Sequence, residues 1–381
     1  MSLQSLVLCF DEKIVRVLRR VLSDLEISVE HCTDADSAIR KLTRQRFEAV
    51  IVDCTDEEMA SQVLKSARSA PCNKRAVAVA IIDAKTALRS AFELGAHFVL
   101  YKPLSSERAK ASFRAARALM KRERRRNARV RVEIPVTLRI DDGVGSLHRG
   151  VTSDLGEGGV AIQLSHRPQN LNSLSVHFTL PGTTHTVGCI GEIAWENAGR
   201  QLGVRFVDLS PETRDQLKAW LESHSPELEK DDPPVRCRLT DLSPGGCYLE
   251  TSSPFPVRTR VVVSVGVAKR QVQVGGVVRL MHPDIGMGVE FTQKTTQQRE
   301  HTREFLYALN NADGALPDLL VEPEGLDSGE AIAPGPSSDE AEDRLLDLFR
   351  KKAELTTEAF LIELRRQRGS NPESAEPAIP L

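Results

Sequence analysis

The sequence predicts a multidomain chain. An α/β doubly wound domain comes first, then two small antiparallel β-barrels, then a disordered acidic linker and a C-terminal helix. Three observations predict this. Residues 1–119 alternate near-continuous apolar runs with amphipathic stretches, the texture of buried parallel strands under helices. From 130 onward Gly, Thr and Val rise and the apolar period becomes two, which suits a small barrel or sandwich. That β-texture then repeats: DLGEGGVAIQ at 154 matches DLSPGGCYLE at 241, and LGVRFVDLS at 202 matches MGVEFTQKT at 287. A length of 381 residues also fits two or three domains at roughly 150 residues each.

In the first domain SLVLCF, ISVEHC, AVIVDC, AVAVAII and FVLYK read as five strands. Leu18, Val21, Leu22 and Leu25 share one face of the first helix. Residues 105–126 read as a long helix ending in KRERRRNARVR. The first β-unit holds VRVEIPVTLRI, GVAIQL, SVHFTL, TVGCIGEIAW and QLGVRFV. A helix follows, with Ser210 as cap and Pro211 in its first position. SPELEKDDPP at 225–234 is a linker by composition. The second unit runs from VRCRLTDLS to MGVEFT and closes on the helix TQQREHTREFLYAL, but VRVEIPVTLRI has no clear counterpart in it. From Asp313 to Asp343 there is no Lys or Arg, and acids mix with Gly, Pro and Ser, which reads as disorder. A last helix at about 340–368 carries Ala341, Leu345, Leu348, Lys352, Leu355, Ala359 and Ile362 at four-three spacing. The expected divisions are therefore 1–119, 120–224, 233–312 (a shortened unit) and 313–381.

Composition narrows the function. Fifty-one basic and 53 acidic residues leave a net charge of −2, so the chain is neither wholly basic nor wholly acidic. Aromatic residues at 4% weigh against base-stacking platforms. Seven scattered cysteines without a CxxC indicate neither a disulfide framework nor a zinc site, and a reducing cytoplasmic setting fits. No basic leader or membrane-length apolar run is present, so no membrane role is expected. The nine histidines form no catalytic or metal spacing, so the chain reads as no enzyme.

Two constellations remain. Asp11 follows strand one, Asp53 ends strand three and Lys102 ends strand five. In a doubly wound sheet such strand ends converge on one crevice. This pattern resembles the flavodoxin-like receiver domain of bacterial response regulators over about residues 4–119. LVLCFDEKIVRVLR matches the opening strand and acidic turn, AVIVDC the phosphoacceptor strand, and ELGAHFVLYKP the Gly-Ala to Lys-Pro segment. The resemblance implies Asp53 as phosphoacceptor in a phosphorelay from a histidine kinase. It also implies Lys102 on the phosphoryl oxygens, and Asp11, Glu12 and Asp53 about a Mg²⁺. Departures are plain: Phe10 stands at the first acidic position, CTDEEM lacks the Met-Pro turn, IIDAK lacks the hydroxyl, and Val99 replaces the usual aromatic.

The second constellation lies further on. Lys121–Arg131 is a basic run, with Arg125 and Arg129 four apart where helix gives way to strand and Arg124 beside them. Guanidinium groups grip phosphate bidentately and stack on purines. Asp154-Leu-Gly156-Glu-Gly-Gly159 follows, a carboxylate fit to accept from guanine N1 and N2 in a glycine turn. The arrangement resembles the PilZ domain, the bacterial cyclic di-GMP receptor, whose signature is RxxxR and then D/N-x-S-x-x-G. That resemblance implies Arg124, Arg125, Arg129, Asp154, Gly156 and Gly159 as ligand residues, with Gly156 in the serine slot. The second copy keeps Asp241, Ser243 and Gly246 but lacks RxxxR, which makes it half a site.

The expectation is a cytoplasmic signalling protein that binds cyclic di-GMP at the first barrel and relays that state to a protein partner. Two alternatives stand beside it: a ligand-free scaffold of degenerate domains, and a nucleic-acid binder using the 121–131 run.

Overall fold

The computed structural model describes residues 2–83, 88–140, 147–165, 174–197, 199–224, 230–267, 270–293, 295–310, 318–326, 343–350 and 357–369. The chain forms two compact units: residues 124–230 are one, and 2–123 together with 231–381 the other. Among the described residues no helix is long and apolar enough to cross a membrane.

The first domain alternates strand and helix: β1 (Leu3–Leu8), α1 (Glu12–Asp24), β2 (Ile27–Cys32), α2 (Ala35–Arg44), β3 (Ala49–Asp53), α3 (Glu57–Ser69), β4 (Val77–Ile82), α4 (Leu88–Glu93), β5 (Phe98–Tyr101) and α5 (Ser106–Asn127). The strands form one parallel sheet in the order β2-β1-β3-β4-β5, the doubly wound receiver layout. All five expected strands are there. Strands β3 and β4 are buried at every residue, which is why they read as unbroken apolar runs. Asp11, Asp34 and Asp56 each cap a helix by accepting backbone N–H groups of its first turn.

The first barrel comprises β6 (Pro135–Ile140), β7 (Leu147–Gly156), β8 (Gly159–Leu164), β9 (Leu174–Thr179), β10 (Thr186–Glu196) and β11 (Gln201–Asp208), closed by α6 (Pro211–His224). Its strands close in the order β10-β11-β8-β7-β6-β9. Residues 186–191 of β10 alternate exposed and buried, the period of two read from the sequence. Leu217 and Trp220 of α6 join the barrel core, and Trp220 Nε1 donates to the carbonyl of Pro181 at 2.9 Å. The DDG turn at 141 lies outside the described residues.

The second barrel comprises β12 (Val235–Ser243), β13 (Gly246–Glu250), β14 (Thr259–Val267), β15 (Arg270–His282), β16 (Gly286–Phe291), α7 (Thr296–Asn310) and β17 (Asp318–Leu326). Its cyclic order is β12-β13-β16-β15-β14-β17. Matching β7 to β12 and so on along the repeat makes the two orders identical, with β17 standing where β6 stands. The second barrel is thus a circular permutant of the first. The strand missing from its start is supplied after α7, between β12 and β14.

This corrects the expected division. The acidic segment from 313 is not all linker, and the second barrel reaches Leu326. Composition hid the strand because its acids point outward, with Asp318 and Glu322 exposed, while Leu319 and Val321 are buried inside. Pro323 sits beside a register shift opposite Val261, where a missing N–H does no harm. Residues 327–342 lie outside the described residues.

The single expected last helix is described as α8 (Arg344–Arg350) and α9 (Thr357–Gly369). Ala341, Lys352 and Leu355 of its stripe lie outside the described residues, as does the 225–229 part of the expected linker. Leu345 and Leu348 are buried, whereas Ile362 is 65% exposed.

Helix α5 packs the first domain onto the second barrel. Arg117 and Lys121 both reach Asp232, at 3.1 and 2.9 Å, and Arg122 reaches Asp231 at 3.3 Å. Glu123 accepts the backbone N–H of Leu326.

Candidate functional site

The end of β7 and the segment after α5 build one site. Val130 pairs with Leu155 as an isolated bridge, which ties that segment to β7. A register shift between Thr152 and Asp154 lets β7 bulge just before the glycine turn. The same shift recurs between Leu239 and Asp241 in the second barrel. Arg129 Nε then lies 3.4 Å from Asp154 Oδ1, so the two motifs meet. Both side chains remain substantially exposed, at 42% and 31%. Arg129 Nη1 also donates to the carbonyl of Arg126 at 3.2 Å.

Arg125 goes elsewhere. It is buried and ion-paired with Glu222 of α6. A small cavity beside it is lined by Arg125, Val130, Glu157, Lys218, Leu221 and Glu222. The RxxxR spacing thus places one arginine at the turn and the other against the closing helix. Arg124 lies in the last turn of α5. Glu222 was not legible as a site neighbour, because its partner lies on a distant helix.

The two glycines of the turn do different work. A Cβ at Gly159 would overlap the carbonyl of Val204, so this glycine admits the neighbouring strand β11. Gly246 does the same against Val289, with 2.5 Å to that carbonyl. A Cβ at Gly156 would instead overlap Arg129 Nη1 and come within 2.8 Å of the Ala128 carbonyl. Gly156→Ser therefore displaces Arg129 and crowds the segment, and the first barrel is expected to melt a few degrees lower. That follows from a cost of about 1 kcal/mol for the forced shift. An unchanged thermal melt would show that the segment yields without strain.

A family model described as the PilZ domain matches residues 123–223 and again 222–308. Both barrels are PilZ domains. The second match ends at 308, before β17 begins. No curated protein matches the chain. Among solved structures, the chain is similar to the receiver domain of a sensor histidine kinase from Pseudomonas aeruginosa with magnesium in its active-site cleft. The identity is 18%, over 32% of this chain and 98% of that one, with a TM-score of 0.28. A chemotaxis response regulator of Vibrio cholerae is 19% identical over 30% and 99%, with a TM-score of 0.28. The receiver domain of an HD domain-containing protein from Pseudomonas fluorescens is 19% identical over 33% and 93%, again at 0.28.

In the second PilZ domain, Asp241 Oδ1 accepts the adjacent N–H of Leu242 at 2.8 Å. Ser243 Oγ accepts the N–H of Gly246 at 3.1 Å, which closes the turn locally.

At the carboxyl ends of the first domain's parallel strands, Asp53 and Lys102 do come together. Lys102 Nζ lies 2.7 Å from both carboxylate oxygens of Asp53. Thr55 donates to Asp53 through its N–H and its hydroxyl, at 3.1 and 2.7 Å, and Lys102 donates to the same hydroxyl at 2.8 Å. The buried Cys9 thiol donates to Asp53 at 3.4 Å. Thr55 and Cys9 were not legible as neighbours of Asp53, because the motif marks only the acids and Lys102. Burial, and after it the charge of Asp53, pushes the Cys9 thiol up to about 11.

Asp11 and Glu12 do not complete a metal site. Asp11 Oδ1 is engaged in capping α1, at 2.8 Å from the N–H of Lys13. Phe10 stands 60% exposed where the other acid would be. Among the described residues no three His, Cys, Asp or Glu side chains gather as metal ligands. The donor set does not fit Mg²⁺, because Asp53 is already neutralised by Lys102.

Burial tends to raise the pKa of Asp53, but the hydrogen bonds from Lys102 and Thr55 outweigh it and hold the carboxyl below its usual 3.8. A depressed carboxyl stabilises the fold above its unfolded pKa, and that stability is lost as pH falls through the folded value. Asp53→Asn is therefore expected to unfold at lower urea than the parent near pH 7, with the gap narrowing as pH falls below the ordinary carboxyl value of 3.8. A gap that persisted at acid pH would mean that the carboxylate charge is not what Lys102 contributes to.

Proposed function

We propose that this chain is a cytoplasmic regulatory protein, not a catalyst, and that its first PilZ domain binds cyclic di-GMP. The observation that carries the reading is the meeting of Arg129 with Asp154 at an exposed turn. A guanidinium and a carboxylate side by side offer one donor fork to a phosphate and one acceptor to the N1 and N2 donors of guanine. Arg129 follows the last residue of α5 by two positions. Ordering that segment around a nucleotide acts on the end of the receiver's own last helix, and this is the route proposed for passing the state to a protein partner.

The nucleic-acid alternative is weakened by the fate of the basic run. Lys121 and Arg122 are paired with Asp232 and Asp231, and Arg125 with Glu222. Such pairing leaves little unbalanced charge for a phosphate backbone. For the receiver, the unsuited metal donors support a platform role over phosphotransfer from a kinase. Rapid phosphorylation by acetyl phosphate with Mg²⁺, abolished in Asp53→Asn, would overturn that part.

Titration calorimetry of the full chain with cyclic di-GMP tests the central reading. One nucleotide per chain is expected. No heat, or salt-sensitive binding of duplex DNA instead, would overturn it.

A further inference from the structure

The equivalent turn of the second PilZ domain is not open. Where Gly158 of the first barrel faces the Arg126 side chain, the equivalent Gly245 of the second faces α8. Asp343 Oδ1 caps that helix by accepting the N–H groups of Leu345 and Leu346, both at 3.1 Å. Its other oxygen, Oδ2, accepts the N–H of Gly245 at 2.9 Å. One carboxylate thus joins the glycine turn to the start of the helix. Beyond it the contact is apolar. Leu346 lies against Gly245 and Gly246, where a Cβ on Gly245 would come within 2.5 Å of its Cδ1. Phe349 lies against Gly288 of β16, where a Cβ would come within 2.6 Å of its ring. Tyr248 and Leu280 of the barrel form a buried cluster with Leu345, Leu346, Leu348, Phe349, Phe360 and Leu364. Tyr248 Oη is hydrogen-bonded to His282 Nδ1 at 2.9 Å, which gives the buried hydroxyl a partner under the helices.

We propose that the second PilZ domain is a helix-binding module whose glycine turn holds an apolar helix in place of a nucleotide, with α8 of the same chain as its resident occupant. Two features of the barrel fit that occupant. Glycines at 245 and 288 give the close approach that the Leu346 and Phe349 side chains need. The turn N–H of Gly245, a donor suited to an anion, is taken by a carboxylate of the chain itself. The missing RxxxR also has a place in this account. In the first barrel an arginine segment covers the turn, and in the second α8 does. This assignment stands apart from nucleotide binding at the first barrel, since it concerns residues of the other compact unit.

The test uses the full chain and a labelled peptide spanning residues 340–369. In the parent, the amides of 344–350 are expected to exchange at least a hundredfold more slowly than in the isolated peptide. The double variant Leu346→Asp, Phe349→Asp removes the helix from its seat without touching the barrel. It is expected to bind the peptide, read by fluorescence anisotropy, while the parent binds at least tenfold more weakly. A peptide carrying Asp343→Ala is expected to bind the double variant several-fold more weakly. Unprotected amides in the parent, or no peptide binding by a folded double variant, would overturn the proposal. So would a second cyclic di-GMP per chain in the parent. A parent that binds no nucleotide but shows protected amides would sink the function proposed for the first barrel and leave this one standing.

Discussion

Val321→Asp is expected to unfold the second barrel. Val321 is fully buried, paired with Val235 on one side and Val263 on the other. The substitution removes an aliphatic side chain worth about 1.5–3 kcal/mol of burial. It also leaves a carboxyl in a barrel interior without a partner, which costs several kcal/mol more, on the order of the whole stability of a small domain. In a disordered acidic tail the same change would do nothing, so the experiment separates the two descriptions of this segment sharply. Circular dichroism melting and limited proteolysis of the full chain read it. Because α5 holds Leu326 through Glu123, the first domain is expected to lose protection together with the barrel. A variant that melted like the parent would place β17 outside the barrel. Asp318→Asn, on the exposed side of the same strand, is the control expected to change little.

The second large effect concerns Arg129. Arg129→Ala is expected to weaken cyclic di-GMP binding at least tenfold while leaving the thermal melt nearly unchanged. A charge-assisted hydrogen bond is worth about 1.5–3 kcal/mol, roughly ten- to a hundredfold or more in affinity. The side chain is 42% exposed, so its loss removes little packing. Arg125→Ala should behave in the opposite way. Its buried guanidinium is paired with Glu222, and removing it costs stability of about 1–3 kcal/mol through a vacated site and an unpaired carboxylate. The melt of the first barrel should drop by several degrees. Calorimetry and melting of both variants in one buffer check the pair of outcomes. Equal loss of affinity in both, with no loss of stability in Arg125→Ala, would mean that Arg125 leaves Glu222 to reach the nucleotide. Unchanged affinity in Arg129→Ala would remove this turn from the nucleotide site.

The pocket at Asp53 shows how far strand-end reasoning carries. Asp53 and Lys102 were found because a doubly wound sheet brings the ends of β3 and β5 to one edge whatever the sequence between them. Asp11 sits at that edge too, but its carboxylate is oriented by the first turn of α1. A residue immediately before a helix can serve the helix or the site, and only the folded structure distinguishes the two.

The sequence by itself determined the order of domains, most of their strands and the repeat, though not β7 or β17. These are properties of local patterning: an unbroken apolar run for a parallel strand, a period of two for a barrel strand, a glycine turn at a fixed place in each copy. The resemblance to the PilZ signature also implied that Arg129 and Asp154 face one turn, and the fold brings them within 3.4 Å. Only the tertiary structure decided what fills each remaining gap. Strand β17 was hidden by its outward acids, since composition averages over both faces and a barrel buries one. Its place depends on pairing with β12 and β14, far away in the chain. The same holds for Arg125, turned to Glu222 rather than to the turn, and for α8, whose stripe shows an apolar face but not what lies against it. Pairing and docking across long stretches of chain are set by shape and charge between surfaces, and a linear pattern carries neither.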